Sequence, residues 1–334
     1  MNDDGSVHTL LHMTAPLRDD FDIAYHDIGP RDPEPGAVFV AGIHGNELNG
    51  VFVLGRLSAY LRGVAAGVHA GQQLRRRVVI LPAVNVLGIN TQSRVWPFDK
   101  TDINRMFPGY SAGETTQRIA GAVLELSSTA RYRVDIHSSN VDFEELPQVR
   151  LYEPTEAERE TAQRFGLPAI IERRMDTVFT STLQHAWRRC EGESFVIQVG
   201  RAGTLQPGHC ERLFRGLVAF LARSDILAGI DLASDDEITH HFGVRQTCPL
   251  IAERAGMFVT TAEVGHWLQA GTIIGRIYDG FDGELREEVR APVAGMLSGI
   301  RRQPLLYQGD LIARIQTRFE LEAPNEMALQ GLAQ

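Results

Sequence analysis

The sequence predicts an α/β protein, a mixed sheet flanked by helices, followed by a small all-β domain. Three observations point there. Short continuous apolar runs rich in β-branched residues alternate with amphipathic stretches of helical length. Near residue 230 the composition turns acidic and polar, and beyond it short glycine-punctuated runs replace the helices. Continuous apolar strands are those buried on both faces, and their alternation with helices marks a sheet that is at least partly parallel.

The predicted strands are 37–43 (AVFVAGI), 78–84 (VVILPAV), 132–136 (YRVDI) and 195–199 (FVIQV). Between them, 48–61 places Val51, Leu54, Leu57 and Leu61 at helical spacing, and 115–126 and 210–222 show similar periodicity. These segments define a first domain, 1–228. The acidic stretch that follows (LAGIDLASDDEITHH, from Leu227) places a linker at 229–241. A β domain over 242–320 is read from the runs 256–260, 272–278, 296–300 and 310–315, punctuated by Gly265, Gly271, Gly275, Gly295 and Gly309. Its APVAGML segment at 291–297 resembles the half-barrel of biotinyl and lipoyl carriers. The chain's one lysine is Lys100, so this domain has no acceptor lysine.

Composition narrows the function classes. The 334 residues hold 33 basic and 42 acidic side chains, a net charge of −9, with 43% apolar and 22% charged residues. That length buries a full core, and the composition excludes disorder and fibre. The absence of a fixed-period repeat excludes solenoids and propellers. The negative charge argues against nucleic-acid binding, and the run Arg75–Arg76–Arg77 reads as a solvated loop. Cys190, Cys210 and Cys248 are an odd set without CxxC spacing, so neither a disulfide framework nor a thiolate metal cluster is indicated. No apolar run approaches the ~18 residues of a spanning helix, and the first ten residues carry two acids where a signal peptide carries basic charge. The expectation is a cytoplasmic protein with no membrane partner; a homo-oligomer is left open.

The chemistry concentrates at two predicted strand ends. Gly42-Ile43-His44-Gly45-Asn46-Glu47 follows the first strand and precedes the first helix. Ligands gather at the carboxyl ends of parallel strands, and an H-x-x-E turn aims an imidazole and a carboxylate at one point. A turn-capping His beside a Glu that suits the helix dipole explains the same residues structurally. Ninety residues later, Asp135-Ile136-His137-Ser138-Ser139 ends another strand. Two His and one Glu are the donors of a class of zinc hydrolases that leave a position for water, and Asp135 is spaced to orient an imidazole. Between the motifs lies Asp102-Ile103-Asn104-Arg105-Met106-Phe107-Pro108-Gly109. Asn104 and Arg105 suit carboxylate recognition, since guanidinium binds carboxylate bidentately; an Asp–Arg pair fixing a loop is the structural reading. Arg94 is a second anion contact. His240–His241 reads as a solvated part of the linker, and His185, His209 and His266 have no ligand-like neighbour.

Together GIHGNE, DINRMFPG, DIHSS, FVIQVG and the C-terminal β domain resemble the succinylglutamate desuccinylase/aspartoacylase family, relatives of the zinc carboxypeptidases, over about 37–315. The resemblance implies a zinc-carboxypeptidase-like fold and one zinc per chain held by His44, Glu47 and His137. It implies a small-molecule carboxylate substrate held by Asn104 and Arg105, and hydrolysis of an N-acyl amino acid or similar amide. In the reaction expected here zinc and a neighbouring cation stabilise the oxyanion, and Arg94 is counted among the catalytic and substrate-binding candidates.

One position departs from that pattern. The family's general-base Glu ends the strand after the DxH motif, and here that position is Gln198. Glutamine cannot accept a proton. The sequence AEVG at 262–265 spells the expected motif but falls inside the β domain. Three explanations of Gln198 stand open: another carboxylate acts as base, with Glu144, Glu145, Glu191 and Glu193 the nearest candidates; the metal serves a different acyl-transfer or amide-forming reaction; or hydrolysis is lost and ligand binding kept.

Overall fold

In the computed structural model, residues 6–17, 19–175, 180–232 and 238–321 are described. In chain order the principal strands are Val7–Met13 (β1), Phe21–Ile28 (β2), Ala37–Ala41 (β3), Val78–Leu81 (β4), Tyr132–Ser139 (β5), Phe143–Tyr152 (β6), Ala169–Arg173 (β7), Glu193–Arg201 (β8), His240–Phe242 (β9), Thr247–Ile251 (β10), Gly256–Val259 (β11), Ile273–Tyr278 (β12), Leu285–Arg290 (β13), Gly295–Arg301 (β14) and Leu311–Gln316 (β15). The helices that matter for the site are Leu48–Ala65 (α1), Thr115–Ser127 (α2), Leu183–Trp187 (α3) and Pro207–Arg223 (α4).

The apolar runs become the centre of a 13-stranded mixed sheet ordered β1-β2-β4-β3-β5-β8-β6-β14-β15-β10, with β7 on the far edge of β6 and β9 beyond β7. Strands β4, β3, β5 and β8 are mutually parallel, as their buried, β-branched sequences predict. Alternation then sorts the side chains onto two faces. Phe39, Val134, Ile136, Phe195 and Ile197 pack beneath α1 and α4, while Val38, Val40, Val79 and Leu81 pack against Ile119, Val123, Leu183 and Trp187 from α2 and α3. At the carboxyl ends of β5 and β8 this second face turns polar, with Asp135, His137 and Gln198 replacing apolar residues.

The C-terminal region is all β, as its glycine punctuation predicts. Strands β13, β12 and β11 form a separate antiparallel sheet with Leu305–Leu306, enclosing Phe258, Ile277, Leu297, Ile300 and Ile315. Strands β14, β15 and β10 continue the large sheet, because β14 pairs with β6 through Gly299–Glu145, Ile300–Glu144 and Arg301–Phe143. The division at 228 and 242 is therefore a proposal about folding units joined by a shared sheet. Residues 233–237 of the expected linker lie outside the described residues. His240 and His241 are strand and not linker, pairing in parallel with Ala169 and Ile170; His241 stays exposed, its Nε2 2.8 Å from Glu172 Oε1. Backbone pairing to an open edge outweighed the polar composition there. No described helix is long and apolar enough to cross a membrane.

Candidate metal centre

The turn after β3 is built by close backbone approach. Gly42 has φ +66°, a conformation glycine adopts without strain. A Cβ on Gly45 would meet the Gly88 backbone at 2.1 Å, so only glycine lets the turn sit against the Val86–Thr91 helix. This packing leaves His44 and Glu47 buried, each 3% exposed. Strand β5, hydrogen-bonded directly to β3, carries His137 to the same edge.

His44, Glu47 and His137 offer ligand atoms that all lie within 4.8 Å of one another. His44 Nδ1 is 2.7 Å from Glu47 Oε1, and His137 Nδ1 is 3.1 Å from Oε2. The opposite nitrogens are anchored: His44 Nε2 lies 3.0 Å from Asp102 Oδ1 and His137 Nε2 lies 2.8 Å from Asp135 Oδ2. A carboxylate on each Nε2 fixes the tautomer and turns both Nδ1 atoms toward one point. Glu47 Oε2 also accepts from the Ser138 backbone N–H at 2.9 Å, and Oε1 from Arg94 Nη1 at 3.1 Å. Two nitrogens and one carboxylate with supporting carboxylates are a donor set that fits zinc.

The electrostatics agree. Burial pushes the Glu47 carboxyl pKa up, but His44 and His137 outweigh it and hold Glu47 well below the usual carboxylate range. Burial likewise opposes ionisation of Asp102, which His44, Arg94 and the Asn104 N–H overcome. For His137, burial favours the neutral ring and Asp135 with Glu47 favours the charged one, with a net upward shift.

Asn104 Oδ1 accepts from the Leu183 N–H at 3.0 Å, which anchors the 104–105 turn to α3. Arg105 Nη1 donates to the Asn104 carbonyl at 3.0 Å. An Asp–Arg pair is present as well, but Asp102 pairs with Arg94, at 3.6 Å, and not with Arg105. The contact of Asp102 with His44, 58 residues away, was missed in the sequence; its place two residues before Asn104 was the signal available.

Gln198 sits beside the centre. It is the register partner of His137 across the parallel β5–β8 pair, and Gln148 of β6 is its partner on the other side. Of the carboxylates considered as substitute bases, Glu193 pairs with Tyr132, five residues down the strand from the His137–Gln198 pair. That is about 16 Å toward the amino end, and Glu191 precedes it. Glu144 is 2.7 Å from His209 Nε2 and accepts from Arg302. Burial raises its pKa, but these partners prevail and bring it down to about 2. Glu145 is bound by Arg150 and Arg314, which lower its pKa against burial. A general base works best with a pKa near the operating pH, which Glu144 and Glu145, held ionised in their ion pairs, do not match. His209, which lacked a partner in the sequence, finds Glu144 through tertiary structure.

Comparison with known proteins places this geometry in a family. The succinylglutamate desuccinylase/aspartoacylase catalytic domain matches residues 33–224. The chain belongs to that family, whose enzymes hydrolyse amide bonds. An N-alpha-acetyl-L-2,4-diaminobutyric acid deacetylase of Halomonas elongata is 28% identical over 297 residues, covering 85% of this chain and 83% of the relative. Among solved structures, a succinylglutamate desuccinylase/aspartoacylase from Rhodobacter sphaeroides has a TM-score of 0.72 at 22% identity, covering 90% of both chains. The product-bound ectoine utilization protein of Ruegeria pomeroyi has a TM-score of 0.72 at 22% identity, covering 93% of this chain and 95% of the other. These structures share the fold.

Proposed function

We propose that the protein is a zinc-dependent deacylase that cleaves the amide bond of a small N-acyl amino acid. The observation that carries this reading is the convergence of His44, Glu47 and His137 with both Nε2 atoms anchored by carboxylates. Zinc in such a site supplies Lewis acidity toward a carbonyl oxygen and toward water.

The chain's own residues supply the rest. Asn104 and Arg105 bind the substrate carboxylate through one amide donor and a guanidinium fork. Arg94, held at the rim by Glu47 and Asp102, places positive charge where the carbonyl oxygen becomes negative. An acid–base group other than residue 198 takes the water's proton and passes it to the leaving amine, because Gln198 positions a water by hydrogen bonding and takes no proton. That last feature favours a second reading, an amide-forming acyltransferase or a metal- and ligand-binding module, in which proton removal from water is not required.

A panel of N-acyl amino acids that includes N-alpha-acetyl-L-2,4-diaminobutyric acid, assayed with zinc and after chelation, separates these readings. Zinc-dependent release of the free amino acid supports the deacylase. Product only in the presence of an amine acceptor supports the transferase, and no product with stoichiometric zinc supports the module.

A further inference from the structure

Gln198 stands where two ladders lose register at once. On one side of β8, His137 pairs with Gln198 but Ser139 pairs with Arg201, so β8 has one residue more than β5 over that interval. On the other side Gln148 pairs with Gln198 and Glu145 with Gly200, so there the extra residue belongs to β6. Bulges of this kind bend a strand and re-aim the side chains beside them. The aim of the residue-198 side chain therefore depends on what holds the backbone that follows it.

A side chain from α1 reaches that backbone. Asn49, fully buried in the first turn of the helix two residues after Glu47, faces the carboxyl end of β8. Its Nδ2 donates to the Val199 carbonyl at 3.2 Å and to Gln206 Oε1 at 3.3 Å, with the Ser138 hydroxyl 3.4 Å away. Its Oδ1 accepts from the Gln206 backbone N–H at 2.9 Å, and Gln206 Oε1 accepts from the Arg201 N–H at 2.8 Å. Asn49 and Gln206 thus form a reciprocal pair closed around the bulge. Gly200, at φ +62°, leaves room for it: a Cβ there would meet Gln206 Oε1 at 2.0 Å and Asn49 Nδ2 at 2.8 Å. The pair also adjoins the metal centre, since the Ser138 N–H donates to Glu47 Oε2 at 2.9 Å and the Gly203 N–H to the Asn46 carbonyl at 2.8 Å.

We infer that Asn49 is a positioning residue for residue 198. Through Val199 and its reciprocal pair with Gln206 it fixes the bulge that sets how the residue-198 side chain stands against His137. Its kinetic consequence rests on the deacylase reading, and its geometric consequence stands without it.

The first test needs no turnover. In protein carrying isotope-labelled glutamine, the side-chain amide signal of residue 198 is the one lost in Gln198→Glu. In the wild type this signal shifts on zinc addition, because Gln198 adjoins His137, and Asn49→Ala reduces the shift to less than half. Zinc affinity in Asn49→Ala stays within about threefold of wild type, because Asp102, Asp135 and the Ser138 N–H still hold the ligands. An unchanged zinc response in folded Asn49→Ala, or a wild-type signal indifferent to zinc, overturns the inference. So does a much larger loss of zinc affinity, which would place the effect on the ligands themselves.

The second test is a double-mutant cycle in kcat and KM. Asn49→Ala lowers the rate gained through Gln198→Glu by about tenfold or more with KM nearly unchanged, because a reacting group misplaced by about 1 Å loses up to about 10²-fold. A merely structural role lowers thermal stability and leaves the gain the same within about twofold, which overturns the inference. If no protein in the cycle turns over, the deacylase reading fails and the amide signal alone decides the role of Asn49; the signal also decides if Gln198→Glu gains nothing. If substrates turn over while signal and gain are both unchanged, the inference fails and the deacylase reading stands. Should Asn49→Ala not fold, Gln206→Ala removes the side chain that closes the pair and reduces the zinc response of the residue-198 signal in the same way; an unchanged response there overturns the inference.

Discussion

Gln198 and His137 are register partners on adjacent parallel strands, their side chains on the same face of the sheet. Under the proposed alignment Gln198, in the proton-acceptor position, adjoins the proposed metal ligand His137 yet cannot accept a proton, while Glu144 and Glu145 are committed to ion pairs. Gln198→Glu is nearly isosteric and supplies the absent base. General-base catalysis is worth about 10²–10⁴-fold, so the variant should hydrolyse an N-acyl amino acid at least about 10²-fold faster than the wild type. An unchanged or lower rate in initial-velocity assays would show that another group already removes the proton.

Asp102 and Asp135 each hold one imidazole Nε2. Asp135→Asn retains the shape while removing the charge that favours an N–H directed at it. Loss of such a partner typically costs 10–100-fold in metal affinity, so about that decrease is expected in a competitive zinc titration. Wild-type affinity in both Asp135→Asn and Asp102→Asn would mean that the carboxylates do not orient the ligands.

Arg105→Ala should weaken binding of a carboxylate substrate by roughly 2–5 kcal/mol if the pair is desolvated, read as a higher KM. Arg105→Lys should restore little of it, because an ammonium lacks the planar fork. An unchanged KM in Arg105→Ala would make the residue structural.

Glu144 links pH to stability. Its folded pKa of about 2 lies below the ordinary 4.5, because His209 and Arg302 overcome the effect of burial. A depressed carboxyl pKa stabilises the fold fully above the unfolded value, and the contribution is lost as pH falls from about 4.5 toward 2. Screened by its partial contact with solvent, the group contributes about 1–2 kcal/mol. Glu144→Gln should thus lower the denaturation midpoint at pH 7 and narrow the gap from wild type as the pH falls through that window. A gap that stays constant from pH 7 to about pH 2 would remove Glu144 from the account.

The parts of the fold legible in the sequence were those in which local pattern and burial agree. Strands β3, β4, β5 and β8 are continuous apolar runs because both faces are covered, and α1, α2 and α4 begin within three residues of their predicted starts. The less legible strands carry charge. In FEELPQVRLY of β6, Glu145 is buried between Arg150 of the same strand and Arg314, 169 residues further on, a contact that no local period reveals. Strand β9 contains two histidines and forms by backbone pairing to β7. At the site, His44, Glu47 and His137 were legible because ligand chemistry restricts residue type and spacing. Asp102 at His44, Glu144 at His209 and Gln148 beside Gln198 were not, since each depends on register or on a contact across 50 residues or more.

The central claim, that His44, Glu47 and His137 hold one zinc on which amide hydrolysis depends, is tested most directly by elemental analysis of the wild type and of His44→Ala and His137→Ala, with turnover measured on the same preparations. The account predicts about one zinc per chain in the wild type, and in both variants far less metal, no zinc-dependent turnover and a retained fold. Full zinc occupancy in both folded variants would contradict it.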